Sequence, residues 1–246
     1  MSRTGRIIEP KDGSIFGFGE KIHFRAEAFD KTSEGNIDIS NCIEWRKPCK
    51  MKGPVFSTTF NNREFAKVAI YVNGTNLATV KIKIICRVSK RLETYNSNES
   101  LMARVILAEA MSCNSSERIA IGYVVANRFR FFPKKFGSDL STVIYKPGQF
   151  TSIKSDLFIN LGSSEYIADK LTYKECQIYI ETLMISRKIL EDKNSDKDPL
   201  LIKTRQHGFF FNKASNSPPD LKRSPLILSK VKSGFMHSFY GYNPNA

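Results

Sequence analysis

Few side chains in this sequence have the type and setting for chemistry. Glu109 stands among Leu107, Ala108, Ala110 and Met111, with no Lys or Arg beside it. A carboxyl in apolar surroundings keeps its proton to higher pH and can then deliver it as a general acid. Glu117 is the obvious second carboxylate. It also lies three residues after Asn114, where it reads as the closing side chain of a helix capping box. His237 sits among Phe and Tyr residues, as either a hydrogen-bonding group or a structural histidine. The five cysteines, Cys42, Cys49, Cys86, Cys113 and Cys176, include no CxxC pair and no histidine at metal-ligand spacing. No metal and no cofactor is expected. Mostly reduced thiols are expected, with a bridge within Cys42, Cys49 and Cys86 open if the protein meets an oxidising space. Gly17 and Gly19 are too short a pattern for a dinucleotide loop and read as a turn.

Two kinds of element must position these residues. Up to about residue 90, apolar residues alternate. Ile22, Phe24, Ala26 and Ala28 form one strand, Val68, Ile70 and Val72 a second, and Val80, Ile82, Ile84 and Cys86 a third. Asn73-Gly74 between the last two is a tight-turn signal. The sole Trp, Trp45, falls between these strands, and short strands punctuated by turns suggest a small β-sandwich. Residues 91–100 are polar and aperiodic and are expected to link two domains. Beyond them the period becomes helical. One helix carries Leu101, Arg104, Val105 and Ala108, with Glu109 beside them. A second opens at Asn114 and runs to Arg128, and a third spans Tyr173 to Glu191. Asp139 is placed to cap a short helix before Val143.

Net charge is +14. It is spread evenly, with 16 basic against 9 acidic residues in 1–90, and 22 against 15 beyond. Such a field attracts polyanions, whether cell-wall polymer or nucleic acid. No nucleic-acid-binding pattern supports the second. No stretch reaches the roughly 18 apolar residues of a membrane helix. The opening MSRTGRIIEPKDG lacks the apolar core of a secretory leader.

Five segments carry a family resemblance. Leu101 to Ala110 resembles the first helix of SleB-type cell wall hydrolases. Glu117 to Arg128 resembles their second, ending in the pair Asn127-Arg128. Val143-Ile144-Tyr145-Lys146-Pro147-Gly148-Gln149-Phe150 resembles their V-Y-x-x-x-Q-F segment. Gly208 to Asn212 resembles a Gly-aromatic strand, and Gly234 to Tyr240 the closing G-x-x-H-x-F-Y. All five occur in family order over about 140 residues. Arg118 stands where relatives carry Gly, and a Trp common before the closing segment is absent.

An α+β chain is expected: the strands of residues 1–90 read as an Ig-like β-sandwich, which loosely resembles PKD-type modules, and the resemblance of the later segments implies a lysozyme-like catalytic domain over 101–246. It implies cleavage of the bond between N-acetylmuramic acid and N-acetylglucosamine in peptidoglycan. Glu109 would be the catalytic acid, and Gln149, Tyr145, Phe150, His237, Tyr240 and Asn127 substrate contacts. Without a convincing second carboxylate, lytic transglycosylation is expected over a muramidase-type hydrolysis. A non-catalytic peptidoglycan-binding domain is the third reading. The partners implied are glycan strands, a secretion system or phage particle for delivery, and an immunity protein. The protein would act in the periplasm or on the wall.

Overall fold

Alternation in the first half becomes two β-sheets around one core in the computed structural model, which describes residues 2–46, 50–61, 65–87, 97–191, 204, 208, 210–212, 226–228 and 236–241. The strands are β1 (Ser2–Glu9), β2 (Ile15–Gly17), β3 (Ile22–Thr32), β4 (Gly35–Asp38), β5 (Glu44–Arg46), β6 (Met51–Lys52), β7 (Val55–Thr58), β8 (Phe65–Val72) and β9 (Thr75–Ile85). One sheet runs β1-β3-β4, with β7 also pairing β3; the other runs β2-β9-β8-β5-β6. The β8–β9 hairpin turns at Asn73 and Gly74, both at positive φ (48° and 82°), which an Asn-Gly pair tolerates. Inward residues of both sheets share the core: Ile22, Phe24, Ala26 and Ala28 from β3, and Trp45, Val68, Ile70, Val80, Ile82 and Ile84 from the other sheet. Burying each large side chain here contributes about 1.5–3 kcal/mol. Trp45 also donates its indole N–H to Gly53 O at 2.7 Å.

The chain divides into two compact units. Met1–Arg87 with Ala168–Lys174 makes the first, and Val88–Ile167 with Glu175–Ala246 the second. Within the first, Lys83 pairs with Asp169 at 2.8 Å and Phe18 meets Tyr173 edge-on at 5.6 Å. Residues 97–100, at the end of the expected linker, instead start a helix. Ser97 caps it, its hydroxyl accepting from Ser100 N–H.

The helices are α1 (Asn98–Ala110), α2 (Ser115–Phe131), α3 (Pro133–Phe136), α4 (Leu140–Tyr145), α5 (Asp156–Asn160), α6 (Ser164–Lys170) and α7 (Tyr173–Leu190). The second unit also holds a small antiparallel sheet, β10-β12-β11 (Phe210–Asn212, Ser238–Tyr240, Leu226–Leu228). Local side chains fix the helix starts: the Asn114 side chain accepts from Glu117 N–H, and that of Asp139 from Thr142 N–H. The architecture is therefore α+β. Among the described residues no helix is long and apolar enough to cross a membrane.

The thiols differ from expectation. Cys42 is a reduced thiol, whereas Cys86 and Cys176 are both disulfide-bonded. Cys176 is not in the group expected to bridge, because a sequence alone does not show which thiols reach bridging geometry. Cys49 lies outside the described residues.

Candidate functional site

Helix α2 organises the second unit. Its residues Glu117, Arg118 and Ala120 to Arg128 are all buried. A helix enclosed this way must satisfy every polar side chain it carries. Arg118 donates to the carbonyl of Cys113 and, at 2.5 Å, to Glu181. Asn127 donates to Thr204 O at 3.1 Å and Gly208 O at 2.9 Å. Arg128 donates to Gln149 O at 3.3 Å and lies over the rings of Phe150 and Phe136, 4.7 and 5.5 Å from their centroids. Glu117 accepts through one oxygen from the backbone N–H of His237 at 2.8 Å and bonds its ring Nδ1 at 2.6 Å.

A cavity of about 290 Å³ opens against this helix, lined by Glu109, Arg128, Gln149, Phe150, Thr151, Phe211 and His237. That is near the lower end of small-ligand pockets, roughly 300–1,000 Å³. Each wall residue has its own support. Glu109 is in the last turn of α1, half-buried, while its neighbour Leu107 points into the core. Gln149, Phe150 and Thr151 follow α4. Phe211 comes from β10, and His237 from the residue before β12, with the two rings edge to face at 5.3 Å.

Electrostatics depart from the sequence reading. The residues beside Glu109 in sequence are apolar, but in the fold its charge acts on the Arg128 guanidinium and opposes that group's loss of a proton. Burial dominates and pulls Arg128 down to about 9, so it remains a cation at neutral pH. The surroundings of Glu109 are therefore mixed, with a cation, an imidazole and an amide beside two phenyl rings. The i±1 neighbours that suggested an apolar pocket face elsewhere, because successive helix residues do not share a face. The Oε1 atom of Gln149 is buried and accepts no hydrogen bond among the described residues.

Of the residues named from the sequence, Glu109, Gln149, Phe150 and His237 meet at this cavity. Phe150 is also core, 4% exposed. The other four do not line it. Asn127 ties α2 to Thr204 and Gly208. Tyr145 is about half exposed and packs edge-on against Phe158. Tyr240 is buried in β12. Glu117 is buried behind His237. The Glu117 capping reading is half right: its backbone N–H is capped by Asn114, but its carboxylate serves His237 instead of closing the box. Arg128, Thr151 and Phe211 were missed as wall residues. Arg128 carried the nearest thing to a signal, a cation that follows the apolar run of α2 in its last turn.

Cys113, Glu117 and His237 form a second cluster. One potential ligand atom from each lies within 4.8 Å of the others, and all three residues are buried. Linear spacing argued against a metal because the histidine stands 120 residues beyond Glu117. No known protein family, curated protein or solved structure matches this chain.

Proposed function

We propose that the second unit cleaves peptidoglycan glycan strands as a lytic transglycosylase, with Glu109 as general acid and base, in a domain of lysozyme-like type, and that the first unit is an Ig-like accessory domain. The observation that carries this reading is convergence. Glu109, Gln149, Phe150 and His237 come from three separate family-like segments, Gln149 and Phe150 from the same one, and all line one cavity. The evenly spread positive charge suits an anionic wall polymer as it would any polyanion.

In the proposed reaction, Glu109 gives its proton to the bridging oxygen as the bond to C1 of N-acetylmuramic acid breaks. The oxygen of the sugar's 2-acetamido group attacks C1, spreading the positive charge. The Glu109 carboxylate then takes the C6 hydroxyl proton, O6 attacks C1, and the acetamido group is released. The products are a 1,6-anhydro end and a restored Glu109 acid. Hydrolysis would call for a second carboxyl about 5–9.5 Å across the sugar. Among the described residues lining the cavity, Glu109 is the sole carboxylate. Buried Arg128 and the Phe150 ring form one wall, and Gln149 Oε1, buried and accepting no hydrogen bond among the described residues, suits an acetamido N–H donor once the side chain turns to the cavity it lines.

Purified protein should clear suspended cell walls, and Glu109→Gln should still sediment with walls while losing at least about 100-fold in clearing rate, the scale of a lost general acid. Equal clearing by that variant would remove Glu109 from the chemistry.

A further inference from the structure

We propose that Cys113, Glu117 and His237 form a binding site for a divalent cation of the zinc class. Three observations converge. The ligand types, thiolate, imidazole and carboxylate, are those zinc takes. Their candidate ligand atoms already lie within 4.8 Å of one another. Tetrahedral bonds of about 2.0–2.3 Å place ligand atoms roughly 3.3–3.8 Å apart, so closing on an ion takes shifts of about 1 Å. Third, Glu117 is 1% exposed and holds His237 through two hydrogen bonds. Both bonds go to the same oxygen, Oε1, which leaves the other oxygen of the carboxylate to meet an ion.

The cluster is well placed for this. Cys113 lies in the α1–α2 turn and Glu117 in the first turn of α2, so one five-residue segment supplies two ligands. His237 arrives from the distant approach to β12. Met236 brings a thioether to 3.6 Å from Cys113 Sγ, a soft group for the fourth position, which water could equally fill. On binding, Cys113 gives up its proton to solvent and ligates as the thiolate. Thiolate and carboxylate then offset the two charges of the ion, leaving a neutral buried site. A bond between Glu117 and His237 alone would need neither the thiol nor the second oxygen. Nothing in this site depends on the proposed glycan chemistry.

The test is a cobalt(II) titration of the chelator-treated full-length protein under anaerobic conditions. One equivalent should bind, with tetrahedral visible bands and a sulfur-to-cobalt absorption in the near ultraviolet, and Zn²⁺ should displace it. Cys113→Ser should lose the near-ultraviolet band and at least about tenfold in affinity, while Cys42→Ser should keep both. A wild-type protein that shows no sulfur-to-cobalt band, or a band that survives in Cys113→Ser, overturns the site. If Cys113→Ser does not fold, Zn²⁺ protection decides. Zinc should slow iodoacetamide labelling of Cys113 in the wild-type protein, read by peptide mass spectrometry, and leave Cys42 labelling unchanged. Equal labelling of Cys113 with and without zinc also overturns it.

Discussion

Removing the Glu117 carboxylate is the perturbation whose cost follows most directly from the structure. One oxygen holds both the backbone N–H and the ring Nδ1 of His237, and both residues are 1% exposed. Glu117→Ala leaves a buried backbone donor and a buried imidazole nitrogen without that acceptor, at about 1–3 kcal/mol each. Relief of the buried carboxylate's own desolvation offsets part of this. The net expectation is a loss of about 3 kcal/mol, a large share of the 5–15 kcal/mol typical of a folded domain. Glu117→Gln keeps an amide oxygen in place and should cost about 1 kcal/mol. The assay can be confined to the affected unit. Trp45, the sole Trp, is buried in the first unit's core, so its fluorescence reports that core. Helices α1 to α5 belong to the second unit, so ellipticity at 222 nm reports mainly on it. Urea unfolding of Glu117→Ala should shift the ellipticity midpoint and leave the Trp45 transition in place. A shift below about 0.5 kcal/mol, the scatter of ordinary surface changes, would refute the role assigned to this bond. So would a Gln variant as unstable as the Ala variant.

Other outcomes follow from single contacts. Asn127→Ala removes both donors to Thr204 O and Gly208 O and should destabilise the second unit by about 2 kcal/mol in the same ellipticity assay. Asp139 is held below its usual value of 3.8 by hydrogen bonds from Thr142. Because the folded pKa is depressed, the cap's contribution is complete above the usual carboxylate value and is lost as pH falls through the lower folded one. The Thr142 amide resonance should therefore move only at pH below about 4, and in Asp139→Asn should not titrate. Gln149→Ala should raise KM for glycan fragments with little change in thermal unfolding, because its Oε1 accepts no hydrogen bond among the described residues. A drop in stability without a KM effect would make Gln149 a packing residue.

What the sequence revealed and what it hid divide along sequence distance. The β8–β9 hairpin was legible because Asn73-Gly74 encodes its turn locally. The starts of α2 and α4 were legible because Asn114 and Asp139 cap them within three residues. Four of the residues expected at a site, Glu109, Gln149, Phe150 and His237, line the cavity. The pairing of Glu117 with His237 was hidden, since 120 residues separate them and each had an adequate local reading. Arg128 was hidden for a related reason. Near the end of a helix a cation usually faces water or the helix dipole, and only the burial of α2 from every side turns it towards the cavity. The apolar residues beside Glu109 misled because helix neighbours in sequence point in different directions.

The most direct measurement on the central claim is mass spectrometry of soluble fragments released from purified peptidoglycan. Muropeptides ending in 1,6-anhydro-N-acetylmuramic acid, absent when Glu109→Gln is used, are the predicted result. Fragments with reducing N-acetylmuramic acid ends would contradict transglycosylation, and no glycan fragments from the wild-type protein would contradict glycan cleavage itself.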